Sequence, residues 1–206
     1  MSLWGRIFAA GYDRLMAGSE RAGLAERRRE LLSDAHGSVI EVGAGTGLNL
    51  THYPPAVEEL VLLEPEEPMA RQLERRLTSA PVAARIVRAP AEAIPFPDAS
   101  FDFAVCTLVL CTVRDPASAL SELRRVLRPQ GQLLFLEHVR SEDPGLARWQ
   151  DRLQPVWGLL GHGCHCNRDT LTAIRAAGFD VQQLEHGRIP KAAKFVKPLI
   201  VGAAAR

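Results

Sequence analysis

Residues 37–49, Gly37-Ser38-Val39-Ile40-Glu41-Val42-Gly43-Ala44-Gly45-Thr46-Gly47-Leu48-Asn49, constrain the fold of this chain more than any other stretch. A short apolar run ends in an acid and then breaks into three glycines separated by single residues. The run reads as a buried parallel strand and the glycines as the tight turn behind it. Glycine lacks a Cβ and tolerates positive φ, so backbone at such a turn can approach a ligand closely. A dinucleotide-binding fingerprint would place its third glycine three residues after the second. Here the spacing is G-x-G-x-G, with Glu41 two residues before the first glycine.

At 206 residues the chain fits one domain, and I-V-L-rich segments supply enough apolar surface for a sizeable core. A net charge of +1 gives no electrostatic case for nucleic acid. The basic run Arg27-Arg28-Arg29 reads as the solvated face of a surface helix. No apolar stretch approaches the ~20 residues of a membrane span, and the N-terminus carries no signal-peptide pattern. Four cysteines in two close pairs, Cys106/Cys111 and Cys164/Cys166, do not resemble a secreted disulfide framework, so a reduced, cytoplasmic protein is expected.

Residues 2–33 read as helical, with Leu3, Trp4, Ile7, Phe8, Tyr12, Leu15 and Met16 as an apolar stripe interrupted or ended at Gly11 and Gly18. A second strand, 58–64, ends in Glu64, and a charged amphipathic helix follows over 65–80. Further strands are expected at 82–89, 101–108 and 131–139. Helices are expected from Pro116 to the Pro129 stop and over 168–177, the latter closed by Gly178. Two last strands fall near 180–186 and 197–204. Alternating strands and helices imply a parallel sheet covered on both faces. No repeat or second domain is evident.

These segments, in this order, resemble the class I S-adenosylmethionine (SAM) methyltransferases. The glycine turn comes first, and Glu64 ends the second strand about twenty residues on. Then come Ala89-Pro90-Ala91-Glu92-Ala93-Ile94-Pro95-Phe96-Pro97-Asp98 and Leu123-Arg124-Arg125-Val126-Leu127-Arg128-Pro129-Gln130-Gly131. A narrower resemblance, to the methyltransferase-like-seven group of thiol S-methyltransferases and its bacterial relatives, is carried by Cys106-Thr107-Leu108-Val109-Leu110-Cys111. Leu136-Glu137-His138-Val139, Gly161-His162-Gly163-Cys164 and Asn167-Arg168-Asp169-Thr170 carry it further. The animal members bear an N-terminal membrane anchor, whereas this chain is expected to begin directly with its helical cap.

The resemblance implies one Rossmann-like α/β domain over residues 1–206. Its sheet would have seven strands, mostly parallel, with helices on both faces and a C-terminal antiparallel strand pair. Residues 1–33 would form a helical cap and 140–167 an acceptor-side insertion. It implies SAM as cofactor and a small-molecule acceptor. Glu41, Gly43, Ala44 and Gly45 would line the amino-acid and ribose side, Glu64 the ribose, and Pro65 and Ala91 the adenine. Thr107, ending the fourth strand, is counted with the cofactor side. Pro90 stands where the common pattern has an adenine-binding aspartate, which leaves Glu92 as either an adenine contact or a surface acid. Tyr12 is either a lid over the methionine carboxylate or an ordinary helix–core contact.

Sites in open parallel sheets lie beyond the carboxyl ends of the strands. His138 is there the candidate general base for a thiol acceptor, against a purely structural role. His162, Cys164, His165 and Cys166 are spaced too tightly for the usual zinc patterns, and no metal is expected. Cys106 and Cys111 would complete a site only if the insertion folded over the fourth strand. Methylation at nitrogen, oxygen or carbon of a lipid-like or quinone-like molecule, arsenite methylation, and a non-catalytic SAM sensor are the rival readings. The short stripe of the cap is expected to pack as a lid rather than bind membrane.

Overall fold

The computed structural model describes residues 3–78 and 80–206. Ser2 and the side chain of Leu3, from the expected cap stripe, and Ser79, in the expected 65–80 helix, lie outside the described residues.

Seven strands are described: β1 (Gly37–Val42), β2 (Val57–Leu63), β3 (Ala84–Val87), β4 (Phe101–Thr107), β5 (Leu127–His138), β6 (Asp180–Arg188) and β7 (Pro198–Ala205). They form one sheet in the order β3-β2-β1-β4-β5-β7-β6. β3 to β5 pair in parallel, and β7 runs antiparallel to both β5 and β6. Chain order reverses between β1 and β4, which makes the carboxyl edge there the switch point where such sheets bind ligands. Helices are α1 (Leu3–Ser19), α2 (Ala25–Leu32), α3 (Glu67–Leu77), α4 (Pro116–Val126), α5 (Pro144–Leu160) and α6 (Thr170–Ala176).

The period of two in the strands explains why both faces are covered. Ile40, Val42, Val61, Leu63, Ala104, Cys106, Leu133 and Phe135 pack with Leu120 and Leu123 of α4 and Ile174 of α6. Their alternates Val39, Leu60, Leu62, Val105 and Leu134 pack on the other face with Leu32 of α2 and Leu73 of α3. Each fully buried side chain of this kind contributes about 1.5–3 kcal/mol. Helix starts are fixed by acid caps. Asp115 accepts from the Ala117 and Ser118 amides, Asp143 from Leu146 (2.7 Å) and Asp169 from Thr172 (3.1 Å).

Three expectations are corrected. α1 runs unbroken through Gly11 and Gly18, because a helical glycine costs only about 1 kcal/mol and α1 is tied down by tertiary bonds. The break falls instead in a wide turn, Glu20–Leu24, at Gly23 (φ 120°). Within the expected 140–167 insertion, whose secondary structure the sequence left unspecified, most residues form the helix α5. Its start signal, Asp143-Pro144, was present, but Val156, Leu159 and Leu160 are exposed and Pro155 sits inside it, so no single apolar stripe announces the helix. β5 begins at Leu127 rather than Gly131, with a register shift opposite Phe101/Phe103, and β3 shortens to four residues.

Arg28 is the third. It is 2 % exposed and points inward, while only its neighbours face out, Arg27 to Glu185 (2.7 Å) and Arg29 to Glu26. No helix of the described residues is long and apolar enough to cross a membrane.

Candidate active site

The glycine turn leaves β1 at the switch point. Gly43 and Ala44 donate to the Leu63 carbonyl at 2.8 and 3.1 Å, which bends the chain over the end of β2. Gly43 (φ 66°) lies against Val109, and any Cβ there would collide with the valine. Gly45 (φ 58°) differs. A Cβ there would meet nothing closer than the Gly43 carbonyl at 3.8 Å, so the backbone faces open space that a ligand can fill. Glu64 closes the side of this cradle, one oxygen accepting from the Gly45 amide (2.8 Å) and the other from the Glu66 amide (2.8 Å). Each oxygen keeps a further acceptor position, as bonding to a ribose diol requires. Burial raises the Glu64 pKa, and the two amides oppose that shift.

The cap is stitched onto the cradle. The Thr46 hydroxyl donates to Asp13 of α1 (2.7 Å), Arg76 of α3 pairs with the same carboxylate, and Gln72 donates to the Ala9 carbonyl (2.6 Å). Behind the turn lies a buried polar network. Glu41 accepts from Tyr53 (2.7 Å) and Asn49 (2.9 Å), Arg28 donates to Asn49 (2.9 Å) and to Thr107 (3.0 Å), and Asn49 also donates to Thr107 (2.9 Å). Arg28 reaches Glu20 as well, at 3.2 Å. Burial pushes Glu41 up to about 7, against the two donors and Arg28. The side chains of Glu41 and Thr107 are thus buried and engaged within this network.

Asp13, Arg28, Thr46, Asn49 and Tyr53 were not singled out from the sequence. Thr46 and Asn49 lie within or beside the glycine motif, which was the available signal. Arg28 and Asp13 carry none, because only tertiary packing turns them inward.

At the residues expected to face the adenine, Pro65 is exposed and its carbonyl accepts from Arg88 (2.8 Å), while Ala91 is buried. Glu92 accepts from the amides of Arg114 (2.8 Å) and Asp115 (3.1 Å), bracing the loop that enters α4.

The expected acceptor side is assembled from three distant segments. β4 is followed by Leu108, held at a positive φ of 56°, and this turn throws Val109 to Cys111 across the carboxyl edge. Glu137 of β5 fastens it, one oxygen accepting from Val109 (2.9 Å) and Leu110 (3.0 Å). Its other oxygen is buried without a partner among the described residues, and burial raises the Glu137 pKa to about 8. The turn after α5 folds over the same place, with the His165 amide donating to the Cys111 carbonyl (2.8 Å) and Arg168 to that of Leu110 (2.6 Å).

The sulfurs of Cys111 and Cys164 come within 3.8 Å, and His138 Nε2 lies 3.0 Å from Cys164. Trp157 Nε1 donates to the Cys164 sulfur at 3.3 Å. His138 Nδ1 is buried with no partner among the described residues. The hydrogen bond from Cys164 lowers the Cys111 pKa, and the partnership with Cys111 raises that of Cys164. Burial is the largest single influence on His138 and opposes its charge, but Cys111, through charge and hydrogen bonding, together with Glu137 shifts the imidazole upward. Tyr12 of α1 is raised to about 12 by burial, with Arg28 opposing and Cys111, Glu20 and Cys164 adding to the shift. Of the other residues weighed for a metal, Cys166 bonds Gln150 and Gln154, His165 bonds Gln154, and His162 stacks on Phe8 (5.0 Å).

A methyltransferase-domain family model matches residues 40–135, from the glycine turn through β5. The chain is 33% identical over 195 residues to the human thiol S-methyltransferase TMT1A, covering 89% of this chain and 80% of that one. It is 36% identical to the rat thiol S-methyltransferase TMT1B, covering 87% and 78%. The fold superposes on a Thermotoga maritima SAM-dependent methyltransferase with a TM-score of 0.74 at 22% identity, over 100% of this chain and 99% of the other. With a sheet of seven strands, an open glycine cradle and an acid ending β2, this chain belongs to the SAM-dependent methyltransferases and takes SAM as its cofactor.

Proposed function

We propose that this protein methylates the sulfur of a small thiol, with Gly43, Ala44, Gly45, Glu64, Pro65 and Ala91 contacting the cofactor. Glu41 and Thr107 support the cradle from behind, Glu92 braces the adenine-side loop, and Tyr12 is the lid residue over the cofactor's methionine end. The observation that carries the substrate class is the identity to thiol S-methyltransferases of 33–36% over nearly the whole chain, well beyond the family model's span. The sulfur-rich acceptor side is in keeping with it. SAM supplies a methyl group already activated by a sulfonium.

The chain's own task is to hold the acceptor in line, exclude water and raise the thiolate fraction of a group whose pKa is near ~8.5. His138, the imidazole on the acceptor side, is the residue assigned to thiol activation. Its nearest polar neighbour is Cys164, at 3.0 Å from Nε2. Four free cysteines suit a reducing, cytoplasmic setting.

The test is transfer of labelled methyl from SAM to a panel of thiols, amines, phenols and quinols. Labelled thioether is the expected product, and His138→Ala should lower its rate by about 100-fold or more with SAM affinity unchanged. Methylation of the nitrogen, oxygen or carbon acceptors alone would overturn the thiol reading. SAM binding with no methylated product from any acceptor would make the protein a sensor.

A further inference from the structure

We propose that Cys111, His138 and Cys164 form a three-ligand zinc site whose fourth position receives the sulfur of the acceptor. This rests on the thiol reading for the identity of the fourth ligand, and on geometry alone for the other three. Their donor atoms lie within 4.8 Å of one another. A tetrahedral ion with Zn–S bonds of about 2.3 Å places two sulfurs about 3.8 Å apart, and the sulfurs of Cys111 and Cys164 stand at 3.8 Å. A Zn–N bond of about 2.0–2.1 Å places the imidazole nitrogen about 3.5 Å from each sulfur. Nε2 lies 3.0 Å from Cys164, about half an ångström inside that separation, and within 4.8 Å of Cys111.

The donor set and its surroundings fit this ion. Two thiolates and an imidazole select a borderline-soft cation over magnesium or calcium. They also neutralise its charge once both thiols have released their protons. Trp157 Nε1 on the Cys164 sulfur and the Thr112 hydroxyl 3.4 Å from that of Cys111 are the kind of outer bonds that fix thiolate ligands. The three residues come from the β4 exit, the end of β5 and the turn after α5, and bonds from His165 and Arg168 clamp that turn to the β4 exit independently of any ion.

Cys111 and His138 are buried, whereas Cys164 is partly exposed and opens the site toward solvent. Three protein ligands with one accessible position is the pattern of reactive rather than structural zinc.

The step balances simply. The acceptor thiol loses its proton to solvent on coordination. Its sulfur then forms the new bond to the methyl carbon, the bond from that carbon to the sulfonium breaks, and the electron pair leaves with S-adenosylhomocysteine. The neutral thioether is a poorer ligand and departs. In this arrangement His138 acts as a ligand and no longer takes the thiol proton.

Reduced, chelator-treated protein titrated with Co²⁺ tests the site without any variant. One equivalent should produce thiolate-to-cobalt charge-transfer absorption and the intense visible bands of a tetrahedral ion, and Zn²⁺ should displace it. Cys164→Ser and His138→Gln should each weaken zinc binding by more than the roughly 100-fold that loss of an outer partner costs. His162→Gln should leave binding unchanged. Absence of sulfur-to-cobalt absorption in wild-type protein that still binds SAM would overturn the proposal, as would an unaltered spectrum in Cys164→Ser.

An acceptor thiol that shifts the cobalt bands supports the fourth position. Thiol methylation at full rate by metal-free protein would keep the thiol reading and sink the zinc. Stoichiometric zinc with no thiol methylated would keep the three-ligand site and sink the thiol reading, and with it the fourth ligand.

Discussion

On the β1–β2 side of the carboxyl edge, the buried carboxylates and amides find partners within the protein. Glu41 has Tyr53 and Asn49, Arg28 has Asn49, Thr107 and Glu20, and Glu64 has two backbone amides. On the β4–β5 side, Glu137 Oε2 and His138 Nδ1 are buried without partners among the described residues, and two thiols face each other. The contrast separates two tasks. A cradle for a fixed cofactor works best when it is complete before the ligand arrives, since no reorganisation is then needed. A reaction site keeps groups whose protonation or ligation can change.

The largest effect should come from filling the cradle itself. Gly45→Leu pushes a side chain into space the protein leaves open, at a backbone cost of about 1–2 kcal/mol for its positive φ. SAM affinity should fall at least about 1000-fold, or about 4 kcal/mol, in a protein that still unfolds cooperatively. Calorimetry showing retained affinity would move the cofactor away from this turn. Gly43→Ala is the counterpart, because it strikes Val109 and should reduce stability along with binding.

Arg28→Met probes the buried network. Removing a buried cation from Glu20, Asn49 and Thr107 leaves their acceptors short of a donor, and about 3–4 kcal/mol of stability should be lost in denaturant unfolding. A loss under 1 kcal/mol would mean the network is ornamental to folding. Glu41 tests the same network through pH. Its carboxyl is raised from 4.5 to about 7, so the folded state holds the proton more tightly than the unfolded chain. Stability from this group is therefore complete below pH 4.5, declines as pH rises to 7 and is level above. Across that window wild type should lose about 3 kcal/mol relative to Glu41→Gln, which keeps the neutral form throughout. A flat difference between the two would show Glu41 ionised in the fold.

The same division explains what could be read from the sequence. The cradle is local: a strand, an acid, spaced glycines and a second strand ending in Glu64 are contiguous patterns, and each fixes its geometry through backbone rules. The sheet followed from apolar runs of strand length alternating with helical ones. The acceptor side is the product of tertiary convergence. Cys111, His138 and Cys164 are 27 and 26 residues apart, and nothing in their spacing announces that a turn after α5 folds onto β4. α5 itself stayed hidden because its apolar residues point outward as well as inward. Arg28 was misread for the same reason, since a run of three arginines on a short helix gives no sign of which one faces in.

The smallest effect is the most discriminating. Glu64→Gln preserves the size of the side chain and one acceptor oxygen, but its amide group cannot accept from a second backbone N–H. One of the bonds to Gly45 and Glu66 must therefore be lost, together with the charge that strengthens both. Hydrogen bonds to a charged group contribute about 1.5–3 kcal/mol, so SAM affinity should drop about 10- to 150-fold. If Glu64 also bonds the ribose, that drop in binding should exceed the loss in unfolding free energy measured without cofactor. An equal loss in both would make Glu64 a brace of the glycine turn alone, and the ribose would then have to be held by another residue at the end of β2.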